Sequence, residues 1–110
     1  MDVDHFVPFA LYPRDMAHNF VLAHPQCNRS KSDSLAGRRH LERWLQRLMH
    51  KSAQLQEIGA HAGIAADVHT TRRVAAWGYG NGYQSGSRAW VKASTYEAID
   101  AEYLACLALA

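Results

Sequence analysis

The 110-residue sequence predicts an α+β fold in which a strand–loop–strand–helix unit is followed by a mainly helical C-terminal part. Three observations carry this. Val3, His5 and Val7 alternate with Asp4 and Phe6 ahead of Pro8, the period-two pattern of a short strand that proline brings to an end. Phe20-Val21-Leu22-Ala23 is a second short apolar run, stopped at His24-Pro25. Between Gly37 and Gly59, Leu41, Trp44, Leu45, Leu48, Leu55 and Ile58 fall at three- and four-residue steps, with Arg and Gln between them. That spacing is the apolar stripe of an amphipathic helix.

The remaining elements follow from local signals. Tyr12-Pro13-Arg14-Asp15 marks a turn in the loop joining the two strands. Asn28, or a residue beside it, offers a short polar side chain to cap a helix start. Gly59 and Gly63 are stop signals for the long helix, and Val68 to Trp77 reads as a short one. Gly78, Gly80, Gly82 and Gly86 interleave with Tyr79, Asn81 and Tyr83, so Gly78 to Ser87 is expected to be loop. Thr95 to Leu109 reads as a last helix with Tyr96, Ile99, Tyr103, Leu104 and Leu107 inward. Length alone predicts a single domain over 1–110, of which residues 46–110 are read as a helical extension.

Composition narrows the function classes. With 48% apolar and 20% charged residues the chain can build a modest core and shows no sign of disorder. No apolar run is long enough to cross a bilayer, and Met1 to Asp4 carries acid where a signal peptide carries base. A cytoplasmic protein without a membrane partner is expected, and two cysteines, Cys27 and Cys106, fit a reducing compartment. Net charge is only +2, but its distribution is uneven. From Arg29 to Lys51 seven Lys and Arg face only Asp33 and Glu42. This is the pattern of a phosphate-facing element, and equally of a solvated helix face.

The residues that carry chemistry lie between Asp4 and Asp33. Hydrolysis of a phosphodiester needs a base for the attacking water and a positive centre for the charge that grows on phosphate oxygens. A neutral imidazole such as His5 suits the first task, since its ordinary pKa of about 6.5 leaves it mostly unprotonated at pH 7. A hard cation such as Mg²⁺ suits the second and takes oxygen ligands, here the Asp4 carboxylate and the Asn28 amide. Asp4 and His5 are neighbours, so a regular strand would turn them to opposite faces; both can serve one phosphate only if the strand ends or bulges there. Asn19 is expected to accept the imidazole N–H of His5 and so fix its tautomer.

Asp4-His5-Phe6-Val7-Pro8, Asn19-Phe20-Val21-Leu22 and Cys27-Asn28-Arg29-Ser30-Lys31-Ser32-Asp33 together resemble the HNH endonuclease signature. They look most like the His-Asn-Asn variant of CRISPR effector nucleases and many small bacterial HNH proteins. The spacing agrees, with fourteen positions from His5 to Asn19 and nine from Asn19 to Asn28. The resemblance implies a ββα-metal fold for about residues 1–45. By it Asp4 and Asn28 are metal ligands, His5 and Asn19 are catalytic, and Arg29 and Lys31 approach phosphate. It implies Mg²⁺ or Mn²⁺ as cofactor and DNA, double-stranded by preference, as partner. Many relatives also hold a structural zinc through two Cys-x-x-Cys pairs. Here the second pair reads His24-Pro25-Gln26-Cys27 and no upstream pair exists, so a closed four-ligand zinc site is not expected. The alternative is an inactive or truncated HNH-like module that binds nucleic acid without cutting it. Trp44 shares the apolar stripe and is expected in the core. Tyr79, Tyr83 and Trp90 could pack or stack on bases.

Overall fold

The computed structural model describes residues 1–109 and begins with an antiparallel pair. Strands β1 (Asp2–His5) and β2 (Phe20–Ala23) align Asp2 with Ala23, Asp4 with Val21 and His5 with Phe20. The sequence alternation extends to Val7, yet β1 stops at His5, because Phe6 and Val7 both turn into the core. Helix α1 (Pro25–Lys31) follows directly, with Pro25 in its first turn, where a missing N–H costs nothing. Its N-cap is His24, so the expected capping role of Asn28 is not realised and Asn28 sits inside the helix.

Helix α2 (Arg38–Ala62) is 25 residues long, which at 1.5 Å per residue spans about 37 Å and matches the molecule's longest extent of 38 Å. Leu41, Trp44, Leu45 and Leu48 of its apolar stripe are buried, as the periodicity implies, whereas Ile58 is exposed. The helix also runs past Gly59, which lies buried where Ala17 and Ala66 come close. It stops at Gly63, whose left-handed φ of 70° suits a residue without a Cβ.

Two further expectations are overturned. Helix α3 (Val68–Ser85) does not end at Trp77 but continues through the glycine-rich stretch expected to be loop. Asp67 starts it by accepting the backbone N–H groups of His69 and Thr70. Packing overrides glycine's poor helix propensity here: Gly82 faces Ile99, and Tyr79, fully buried one turn earlier, donates its hydroxyl to the Ala36 carbonyl at 2.6 Å. The segment expected as one C-terminal helix begins as a strand. A hairpin of β3 (Arg88–Lys92) and β4 (Thr95–Ala98) precedes α4 (Ala101–Leu109), which starts only after Asp100 accepts the Glu102 N–H. Trp90 fixes β3 to the 35–37 segment: its N–H donates to the Leu35 carbonyl at 2.8 Å and its carbonyl accepts the Gly37 N–H at 2.7 Å.

The resulting α+β core joins Phe6 and Val7 from the N-terminal unit to Leu41, Trp44 and Leu48 of α2, Tyr79 of α3 and Tyr103 of α4. The Tyr103 hydroxyl accepts the Arg38 N–H at 2.9 Å, tying α4 to the start of α2. Among the described residues no helix is long and apolar enough to cross a membrane.

Two of the three glycines of α3, half-buried Gly80 and buried Gly82, should respond oppositely to alanine. A Cβ on Gly82 would lie 2.7 Å from Ile99 Cδ1, so Gly82→Ala should cost about 1–3 kcal/mol of unfolding free energy. Nothing lies within 4 Å of a Cβ on Gly80, so Gly80→Ala should stabilise by up to about 1 kcal/mol. Urea unfolding of the two variants checks both signs; equal effects would mean that α3 is not packed as described.

Candidate active site

The site is built where β1 ends. Its carboxylate, Asp4, accepts the N–H of His5 through Oδ1 at 2.8 Å and turns toward α1. There it meets Asn28, whose amide lies 3.2 Å from both Asp4 carboxylate oxygens. With its nitrogen toward Asp4 the amide donates to the carboxylate. With its oxygen toward Asp4 it sets one acceptor 3.2 Å from each carboxylate oxygen, an arrangement that only a positive charge between them would satisfy. Ligands sharing an octahedral cation at about 2.1 Å lie about 3.0 Å apart along an edge, so the donor set fits a small hard ion. The sequence reading overlooked Asp2. It shares the α1-facing side of β1 through the period of two, and the Asn28 Nδ2 lies 3.4 Å from its Oδ2. Among the described residues no three His, Cys, Asp or Glu side chains cluster for a metal. An ion here would take the rest of its shell from water and phosphate, as Mg²⁺ commonly does.

Lys31 closes the same corner from the last turn of α1. It is only 7% exposed, and its Nζ lies 3.8 Å from Asp4 Oδ2 without a hydrogen-bond partner. Burial lowers its pKa, while Asp4 and then Asp33 oppose that shift. Arg29 takes a different position. It is exposed and faces Ser30 and Ala93 on another side of α1, so the structure does not bring it to Asp4 and Asn28.

Asn19 and His5 do not meet in the way the sequence reading expects. The Asn19 Oδ1 accepts the Val7 N–H at 2.8 Å, its Nδ2 donates to the Val7 carbonyl at 3.0 Å, and its own carbonyl accepts the Phe6 N–H at 2.8 Å. Buried and doubly bonded, Asn19 clamps the backbone that leaves His5 and does not touch the imidazole. His5 instead pairs with Asp15, Nε2 to Oδ1 at 2.9 Å, between the rings of Phe9 and Phe20. Nothing in the spacing of ten residues announces Asp15, which arrives from the loop.

Helix α2 holds this arrangement from below. Arg47 donates to the carbonyls of Phe20 at 2.7 Å and His18 at 2.8 Å, and the Trp44 indole N–H donates to the same His18 carbonyl at 3.2 Å. Arg47 therefore serves the backbone of the 17–20 turn, not a phosphate, and its burial lowers its pKa. The basic stretch is thus divided: Arg47 is structural, Arg38 pairs with Glu42 and Glu102, and Arg39, Arg43 and Lys51 remain exposed.

A cavity of about 460 Å³ opens between β2, α1, α2 and β3, with Asp4, Asn28 and Lys31 on one wall and Trp44 and Trp90 on another. His5 is not among the residues that line it. With this geometry in view, the comparison with family models bears on the N-terminal part. Residues 1–36 match the HNH endonuclease family. The HNH-matching segment contains β1, β2 and α1, and every candidate site residue falls within it. It supports a nuclease-type function for the chain. Comparison with curated proteins and with solved structures gives no match.

His18 supplies a prediction. It is fully buried in the clamped turn, bonded through Nε2 to Ser52. Burial lowers its pKa below 6.5, with a weaker opposing pull from the Ser52 bond. The unfolded chain therefore binds a proton that the folded one resists, so stability is complete above pH 6.5 and declines as pH falls toward the folded pKa. Melting temperature should drop on acidification below that point, and His18→Gln should flatten the slope. An unchanged slope in His18→Gln would remove His18 as its source.

Proposed function

We propose that this chain is a metal-dependent endonuclease of the HNH type that hydrolyses DNA phosphodiester bonds. The observation that carries the reading is the meeting of Asp4 and Asn28, from two separate elements, with an amide and a carboxylate 3.2 Å apart. These two oxygens would hold Mg²⁺ or Mn²⁺, with Asp2 close enough to accept from a bound water. A divalent ion there would neutralise charge on the phosphate oxygens and stabilise the leaving oxygen.

The chain's own residues supply the rest. His5 acts as general base, taking the proton of the attacking water. Asp15 acts as a positioning residue: in the tautomer that donates Nε2–H to Asp15, the free nitrogen is Nδ1. Because β1 ends at His5, a phosphate lying across the strand terminus can touch both of its faces, which a continuing strand would forbid. Asn19 contributes by holding that terminus, through Val7, rather than by touching the imidazole. Lys31 faces the phosphate as a buried ammonium, and Arg29 lends charge from outside the cavity. The reading is of a cytoplasmic enzyme.

One observation favours a second reading, a nucleic-acid-binding module without hydrolysis: His5 is paired with Asp15 and does not line the cavity that holds Asp4 and Asn28. A plasmid assay separates the two. The nuclease should nick supercoiled plasmid with Mg²⁺ or Mn²⁺ and stop on addition of EDTA. His5→Ala should lose activity by about 10²–10⁴-fold, and Asp4→Asn should lose it together with the metal dependence. Undiminished cutting by His5→Ala would take the imidazole out of the mechanism. Salt-sensitive DNA binding with no cutting under either metal would establish the binding module instead.

A further inference from the structure

Phosphate chemistry at a strand end needs oxygen ligands, a base and positive charge. It does not need an apolar cavity, yet one of about 460 Å³ adjoins Asp4 and Asn28, within the size range of small-molecule sites of about 300–1,000 Å³. Its interior is formed by Phe6, Val21, Ala36, Trp44 and Trp90. Phe6 and Trp44 stack on each other with centroids 4.4 Å apart and planes within 7°, which fixes a rigid aromatic wall. Trp90 also lines the cavity, and His40, another lining residue, stacks on it at 5.4 Å and nearly parallel. Exposed Leu22 and Arg43 stand at the mouth.

The second observation is Lys31. An ammonium carries three donors and no acceptor, and burying it without a bond is costly. Lys31 is 7% exposed, its Nζ has no hydrogen-bond partner, and it lines this cavity. The carboxylate oxygen paired with it, Asp4 Oδ2 at 3.8 Å, is beyond hydrogen-bond length, and Asp33 acts on it from farther away. An anion entering the cavity would complete that group. A ligand that is anionic at one end and flat and apolar at the other fits both observations. In a stacked duplex the faces of the bases are covered by their neighbours and only base edges and the sugar–phosphate backbone meet a protein, so a paired nucleotide cannot place its base in such a space.

Resting on the nuclease reading for the place of the scissile phosphate, we infer that this cavity receives one unpaired nucleotide of a DNA strand. Its phosphate lies on Lys31 and its base lies against the aromatic side chains that line the cavity. The preferred substrate is then single-stranded DNA or a duplex with a nucleotide outside the stack next to the cut. Discrimination comes from the cavity and not from the metal ligands, which contact phosphate alone.

Fluorescence anisotropy with labelled deoxyoligonucleotides in EDTA tests this without cleavage. A single strand, or a duplex with one unpaired nucleotide, should bind at least about tenfold more tightly than the fully paired duplex. Lys31→Met removes the ammonium and Val21→Phe fills the cavity; each should erase that margin, and Val21→Phe should do so while leaving the paired duplex bound as before. Arg43→Ala, at an exposed position, should weaken all substrates alike and lower the salt slope by about one. Should either cavity variant fail to fold, the paired-against-unpaired comparison on the unaltered chain decides alone. Equal affinity for paired and unpaired DNA overturns the assignment, as does a margin that survives Val21→Phe. Nicking without the margin sinks the cavity assignment and spares the nuclease. A margin without nicking under any metal sinks the nuclease and leaves a nucleotide-binding cavity.

Discussion

The buried turn at Ala17–Asn19 is the point on which the site depends. It is gripped from both sides. From α2, Arg47 and Trp44 donate to the carbonyls of His18 and Phe20; from within the turn, Asn19 binds Val7 through both of its amide atoms. Between them these bonds fix where β2 begins and where β1 ends. Strand register is a two-valued quantity: a slip of one residue turns every side chain to the opposite face. Here it would swing Asp4 away from Asn28 and bring His5 toward α1. Two-stranded ribbons have little stability of their own, so register must come from outside the ribbon. The buried guanidinium of Arg47, bonded to two carbonyls rather than to an acid, supplies it. That is why a residue in the most basic part of the chain is spent on backbone and not on phosphate.

The charges around Asp4 make a second constraint. Lys31 reaches it at 3.8 Å, and Asn28 at 3.2 Å can present either a donor or an acceptor. An asparagine suits a site that must work in both conditions. With no ion its nitrogen satisfies the carboxylate, and with one its oxygen adds a ligand without a further negative charge. A second carboxylate in its place would repel Asp4 across the same gap. The Lys31 ammonium offsets part of the Asp4 charge in either state, which keeps a buried carboxylate tolerable next to Phe6 and Trp44.

How much of this was legible follows the range of the forces involved. β2 and the main part of α2 are carried by local periodicity, and those readings agree with the structure; Asp4 and Asn28, twenty-four positions apart, are brought within 3.2 Å of each other by the fold. The α3 glycines are different. Gly78 and Gly82 are four apart, so they share a helix face, but single-residue propensity reads glycine as loop. The reason for glycine is Ile99 and Leu35 arriving from elsewhere, a contact without a sequence signature. The β3–β4 hairpin was hidden for a similar reason: its pairing with residues 35–37 is made across more than fifty positions. Asn19 was placed at the right position with the wrong partner. A side-chain amide directly before a strand serves a backbone or an imidazole equally well on paper, and only the inward turn of Phe6 and Val7 decides between them. Asp2 could have been found, since it repeats Asp4 at the strand period.

The helical part also changes what the HNH-matching segment can do. Of the aromatic side chains that line the cavity, Trp44 belongs to α2 and Trp90 to β3, both beyond residue 36. Trp90 is held in place by backbone bonds to Leu35 and Gly37, the residues on either side of the segment's last position, Ala36. The residues after 36 are therefore not a separate attachment to a finished site. They cover its apolar side, exclude water from around Lys31, and leave an opening next to Asp4 and Asn28. A ββα unit alone would expose Phe6 and Lys31 to solvent, and the ammonium would then be an ordinary hydrated charge. Enclosure is what makes its missing partner costly, and so makes the cavity selective for something that can supply one.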